Sequence, residues 1–142
     1  MKLGIGMAKS TGLPYFPLDC QLDDKMDLIE AEFGLTGFAV ILKLFQKIYG
    51  GEGYFCFWSN EVQLLVSRQL VIEAKLLRKI VDSAAERGIF HQELYKSCGI
   101  LTSHGTQQRY LEAASRRKKV SLRKDFLLIP MEELTSNACI LN

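Results

Sequence analysis

The stretch "LTGFAVILKLFQKIYG", residues 35–50, leaves this chain few ways to fold. Wound as a helix, it gathers Phe38, Ile41, Leu42, Phe45, Ile48 and Tyr49 on one wide apolar face, and Ala39, Val40 and Leu44 nearly close the circle. Only Thr36, Lys43, Gln46 and Lys47 leave a polar stripe. A helix that is apolar almost all round has to be wrapped by its own chain. No apolar run approaches the roughly 20 residues that cross a bilayer, and no apolar leader follows Met1, so no membrane partner and a cytoplasmic location are expected. At 142 residues the chain suits one domain, expected over 13–129, between a flexible lead (1–12) and a tail or linker start (130–142).

Around the central helix, expected over 36–49, the other elements follow from spacing. Asp23 or Asp24 caps a short helix with Met26, Ile29 and Phe33 on one face, and Gly34 ends it. "YFCFW" after "GGEG" reads as a short strand. Helices are expected at 60–68, capped by Ser59 or Asn60, and at 71–87, closed by Gly88. "IFHQELYKSCGILTS" reads as a hairpin over 89–102, and Thr102 or Ser103 caps a last helix over 103–118. "DFLLIP" reads as a final strand-like piece ended by Pro130. Tyr15 and Phe16, before Pro17, read as an extended segment pinned onto the core. Helix, strand, tight helix pair, hairpin: the order predicts a mainly α fold with a small β-hairpin. It is a winged helix-turn-helix with an extra N-terminal short helix and a C-terminal basic helix. That fold serves DNA readers and interaction modules alike.

Charge is more telling than its total of +2. Residues 19–32 carry a net −5 and residues 109–125 a net +5. In the last helix Tyr110, Leu111, Ala114 and Arg117 form the apolar stripe, with Thr106 and Gln107 one turn earlier. Arg116, Arg117, Lys118 and Lys119 then close it, where the helix dipole favours cations. Arg109, Arg123 and Lys124 continue the charge, and such density suits backbone phosphates. On the 71–87 helix, Leu70, Ala74, Leu77, Val81 and Ala84 face the core. The opposite side shows Lys75 and Lys79, flanked by Arg78, which suit phosphates. It also shows Ile72 and Leu76, which look like an oligomer contact. No bidentate base-reading pair stands out, so binding largely independent of sequence is expected.

Several stretches together resemble one family: "YFPLD" at 15–19, "GIF" at 88–90, "ELY" at 93–95 and "GILTSHGTQQRYLEAASRRK" at 99–118. These resemble the N-terminal domain of phage replisome-organiser and DnaD-like replication proteins, over roughly residues 13–119. The "LTS-x-G-x-Q-x-RYLEA" block is the most specific part. The resemblance implies a winged-helix module that self-associates and binds double- or single-stranded DNA during replication initiation, with replication proteins as further partners.

Catalysis is not expected, nor any cofactor. Cys98 and His104 could be drawn as nucleophile and base, but no orienting third group accompanies them. The acidic residues 19–32 lack Ca²⁺-loop spacing and suit a helix start, so no metal site is expected. "GIGMAKST" departs from a phosphate loop, with Leu3 where the first glycine belongs and Ala8 before Lys9. Cys20, Cys56, Cys98 and Cys139 never pair as CxxC, which predicts reduced, mostly packed thiols. Two classes of function remain: a DNA-binding module, or an interaction module whose Ile72 and Leu76 face and opposed charges drive assembly without direct DNA binding.

Overall fold

The computed structural model of the protein describes residues 11–20 and 24–142. One helical run, α1 (Asp24–Gly50), breaks at Gly34, where φ is 72° and ψ −164°. A side chain at that positive φ with extended ψ costs ~1–3 kcal/mol, so glycine suits the break. It separates a short helix burying Met26 and Ile29 from the long one burying Val40, Ile41, Leu44, Ile48 and Tyr49. Both lie where the periodicity puts them. Asp24 opens the run, while Asp23, like the lead's first ten residues, lies outside the described residues.

Strand β1 (Cys56–Phe57) leads to α2 (Asn60–Leu70), capped by the Ser59 hydroxyl, which accepts from the Val62 N–H at 3.2 Å. A three-residue turn, 71–73, joins it to α3 (Ala74–Glu86). At the end of α2 the Val71 N–H donates to the Arg68 carbonyl and the Ile72 N–H to that of Ser67, with Val71 left-handed at φ 55°. Such an ending folds its second outside residue back onto the helix. Ile72 does this, and both it and Leu76 are half-buried against the core. This corrects the free apolar face expected of Ile72 and Leu76. The apolar side chains left in water here are Leu64, Leu65 and Val71, at 52%, 62% and 87% exposure.

The hairpin expected over 89–102 does not form. The chain instead makes α4 (Gln92–Cys98), capped by His91 Nδ1 accepting from the Leu94 N–H, and ends it at Gly99 with φ 64°. Strand β2 (Ile100–Leu101) then pairs antiparallel with β1. One backbone bond, His91 N–H to Thr102 carbonyl at 2.7 Å, links the two expected arms. Helix α5 (His104–Ala113) starts at its Ser103 cap and stops five residues short of the expected 118. Strand β3 (Val120–Arg123) follows, and residues 130–142 fold back so that β4 (Ala138–Leu141) pairs parallel with it. "DFLLIP" is not a strand: Lys124–Phe126 forms a 3₁₀ turn. The fold is mainly helical, with five helices and two small two-stranded sheets among the described residues. Neither α4 nor the parallel pair belongs to the expected winged helix-turn-helix.

The core has two clusters that meet at Phe45. The first joins α1, α2 and α3 through Ile29, Ile41, Ile48, Val66, Leu77 and Ile80. The second joins the 11–18 segment to α5 and β3 through Leu13, Tyr54, Tyr110, Leu111 and Leu122. Each such fully buried aliphatic side chain contributes about 1.5–3 kcal/mol. Phe16 stacks on Tyr49 at 4.8 Å, as expected of a pinned segment, but Tyr15 is 82% exposed and takes no part.

Candidate nucleic-acid interface

The side chains on the inner face of α5 are polar as well as apolar. Thr106, Gln107, Tyr110 and Leu111 are buried along it, the stripe the spacing predicts. Gln107, 1% exposed, donates to Thr102 Oγ1 at 3.1 Å and to the Phe126 carbonyl at 2.9 Å, and accepts from the Leu128 N–H at 2.7 Å. The Thr102 hydroxyl donates onward to the Tyr54 carbonyl. One amide thus ties α5, β2 and the 126–128 segment together, and a buried amide this well satisfied specifies its surroundings. Tyr110 stacks on Tyr54 at 5.7 Å and donates to the Thr11 carbonyl at 2.8 Å. Burial pushes both phenols up, so both stay neutral at neutral pH, Tyr110 as a donor and Tyr54 as the acceptor of the Arg123 N–H at 2.9 Å. Gly53 makes room for this stack. A Cβ there would sit 2.2 Å from Tyr110 Cε1. The most specific block of the sequence is therefore a packing device.

Beyond Ala113 the chain turns away, so the four cations sit in a turn (114–119) leading to β3 and not on the helix. That corrects the basic helix end. Arg117 points inward: Nη1 donates to the Thr11 carbonyl and Nη2 to that of Gly12, both at 2.7 Å. Arg109 likewise donates through Nε to the Tyr49 hydroxyl at 2.8 Å. Arg123 pairs with Asp125 at 2.9 Å and lies 4.0 Å over the Phe126 ring. Asp125 is held below the usual carboxylate range by that hydrogen bond. Arg116, Lys118, Lys119 and Lys124 are exposed, and none of them is in an ion pair among the described residues.

From behind, the turn is held by Asn137. Its Nδ2 donates to the carbonyls of Arg117 at 2.9 Å and Ala114 at 3.1 Å, with Ser115 at 3.4 Å. The result is a fixed backbone with cations facing water. Nothing local in the sequence marked Asn137, because its contacts span 20 to 23 residues.

Lys75, Arg78 and Lys79 are exposed on α3. Lys79 lines an open groove with Glu32, Asp82, Glu86 and Arg87, a mixed-charge surface. Glu32 there is held below the usual carboxylate range, first by the Ser83 hydroxyl and then by Arg87, its ion-pair partner at 3.1 Å. The α3 cations belong with the first core cluster and the basic turn with the second. The structure thus leaves two groups of outward cations, turns Arg117 inward and ties the exposed Arg109 to the Tyr49 hydroxyl at the cleft.

His104 and Arg109 line a cleft of about 480 Å³ with Lys25, Phe16, Phe45 and Tyr49. No hydrogen bond joins Cys98 to His104 among the described residues. Of the thiols only Cys56 is buried, which pushes it up to about 12; Cys20 and Cys98 are exposed, correcting the expectation of mostly packed cysteines. Among the described residues no three His, Cys, Asp or Glu gather as metal ligands, and no helix is long and apolar enough to cross a membrane.

A family model described as Lin1244/Lin1753-like, N-terminal, matches residues 15–106. An uncharacterized phage-related protein of Listeria innocua, Lin1244/Lin1753, is 38% identical over 130 residues, covering 90% of this chain and 42% of the relative. The chain thus spans less than half the length of that relative. No solved structure matches. With most of the chain matched on both counts, it belongs to the Lin1244/Lin1753-like N-terminal family.

Proposed function

We propose that this domain is a non-catalytic DNA-binding module of a phage or mobile-element replication-initiation protein, gripping backbone phosphates largely without regard to sequence. The observation that carries the reading is the basic turn: Arg116, Lys118 and Lys119 face water with no ion-pair partner among the described residues, on a backbone held by Asn137 and Arg117. Cations on an ordered turn neutralise phosphates and release counterions, but they present no fork to a base edge. Lys75, Arg78 and Lys79 supply a second set on α3. The α2–turn–α3 pair, with its three-residue link, fits a helix-turn-helix, with β1 and β2 as the small sheet and α4 in the place of a wing. The phage-related relative and the likeness of residues 99–118 to replisome-organiser and DnaD-like domains support the replication role.

The test is duplex binding across salt for the wild type and the triple variant R116A/K118A/K119A. The variant should bind any duplex more weakly and flatten the log–log salt slope by up to about 0.9 per lost contact. Unchanged affinity and slope would sink the reading. A second reading, a self-associating interaction module, is favoured by the exposed Leu64, Leu65 and Val71 around α2. Light scattering at tens of micromolar protein separates them: a monomer that binds DNA excludes assembly as the main role.

A further inference from the structure

We infer that Asn137 is a positioning residue for the basic turn: its carboxamide sets the spacing at which Arg116, Lys118 and Lys119 meet phosphates. The inference rests on the phosphate-binding reading above. Three observations carry it. The Nδ2 group lies within hydrogen-bonding distance of three carbonyls of one short turn, at 2.9, 3.1 and 3.4 Å, more than its two hydrogens can serve singly. The same amide is oriented from its other end, because the Thr135 hydroxyl donates to Asn137 Oδ1 at 2.7 Å. An amide whose oxygen accepts and whose nitrogen faces only carbonyls has one consistent orientation. Finally, the Asn137 carbonyl accepts from the Val120 N–H at 2.9 Å, so the residue closes both the turn and the first rung of the β3–β4 pair.

Among the described residues no hydrogen bond or ion pair joins the side chains of Arg116, Lys118 or Lys119 to Asn137, so its effect on a ligand has to pass through the backbone. Carbonyls gathered on one side of the turn leave the side chains of residues 116, 118 and 119 on the solvent side, all exposed. Arg117 pulls the same turn onto the 11–12 carbonyls. A turn anchored twice does not have to be ordered when DNA arrives, and sparing that cost is what pre-organisation contributes to affinity. The Asn137 amide does for the turn what a helix cap does for a helix end: it brings a side-chain donor to carbonyls beyond the last helical turn, where the Ala114 carbonyl also accepts from the Arg117 N–H at 3.0 Å.

The experiment is a double-mutant cycle in duplex affinity: wild type, N137A, the cation triple R116A/K118A/K119A, and the two combined, titrated across salt on the full chain. N137A alone should lose on the order of tenfold in affinity and flatten the salt slope, although every cation remains. Added to the triple it should cost nothing further, because Asn137 acts through those cations. Equal losses in both backgrounds would mark a general structural effect and overturn the inference. If the triple weakens binding and N137A does not, the inference fails while the phosphate reading stands. If the triple binds as the wild type does, both fall. T135V, which leaves Asn137 but removes the hydroxyl that orients it, gives the same cycle should N137A fold poorly. It is expected to show a smaller loss of the same kind, and wild-type affinity in it would count against the orienting step.

Discussion

Two neighbouring pieces of chain, residues 101–110 and residues 114–119, treat their polar groups in opposite ways. In the first, Thr102, Thr106 and Gln107 are buried, and Thr102 and Gln107 find hydrogen-bond partners on two separate segments, at Tyr54 and at 126–128. In the second, the backbone is held from behind while Arg116, Lys118 and Lys119 stand in water. The contrast separates two kinds of sequence signal. A rare, spaced pattern such as "LTS-x-G-x-Q-x-RYLEA" reports an interior that admits few alternatives, since each buried polar atom must be met. A run of like charge reports the solvent side, where many arrangements are equally good. Arg117 is the exception that sharpens the rule. It stands inside the charged run but behaves as a member of the buried half, its guanidinium spent on the Thr11 and Gly12 carbonyls.

The largest effect should come from the buried half. Gln107→Leu strands the Leu128 N–H and the Phe126 carbonyl, and should cost about 3–4 kcal/mol in urea unfolding. A loss below about 1 kcal/mol would mean that the amide is a bystander. Gly53→Ala should follow at about 2–4 kcal/mol. Its φ of 97° is strained for a side chain, and the new Cβ would meet the Tyr110 ring. A thermal melt unchanged within a degree or two would contradict the Tyr54–Tyr110 packing. Arg117→Ala should cost about 1–2 kcal/mol, discounted from the usual value of charged hydrogen bonds because the side chain is only half-buried. If it instead melts like the wild type, Arg117 belongs with its charged neighbours after all. Smallest is the change in stability of R116A/K118A/K119A, expected below about 0.5 kcal/mol per residue. A larger loss would show that these cations hold the fold and that their effect on DNA affinity is indirect.

Much of the helical frame was legible because it depends on spacing. The break at Gly34, the caps at Ser59 and Ser103, and the inner faces of α3 and α5 all follow from residues a few positions apart. Helix α4 escaped notice for a physical reason: seven residues, none of them fully buried, show no period, and its cap is a histidine, which lacks the usual short capping oxygen. The charge on both sides of β3 drew attention from its alternation, although Val120 and Leu122 are the buried pair. Of the candidate site, the exposed cations were legible as charge alone. Nothing nearby in the chain indicated that Arg109 binds the Tyr49 hydroxyl or that Arg117 reaches inward, across 60 and more than 100 residues.

By itself, then, the sequence determined a helix that must be buried, the caps and breaks of the elements around it, and the segregation of positive charge near its end. Those properties are set by neighbours within one or two turns. Only the tertiary structure decided that Ile72 and Leu76 pack inward, that α4 replaces a hairpin, and that β3 takes a parallel partner from residues 138–141. It alone also decided which cations remain free. A guanidinium and a solvated ammonium read the same in one dimension, and what distinguishes them is whether the folded chain brings an unsatisfied carbonyl within about 3 Å.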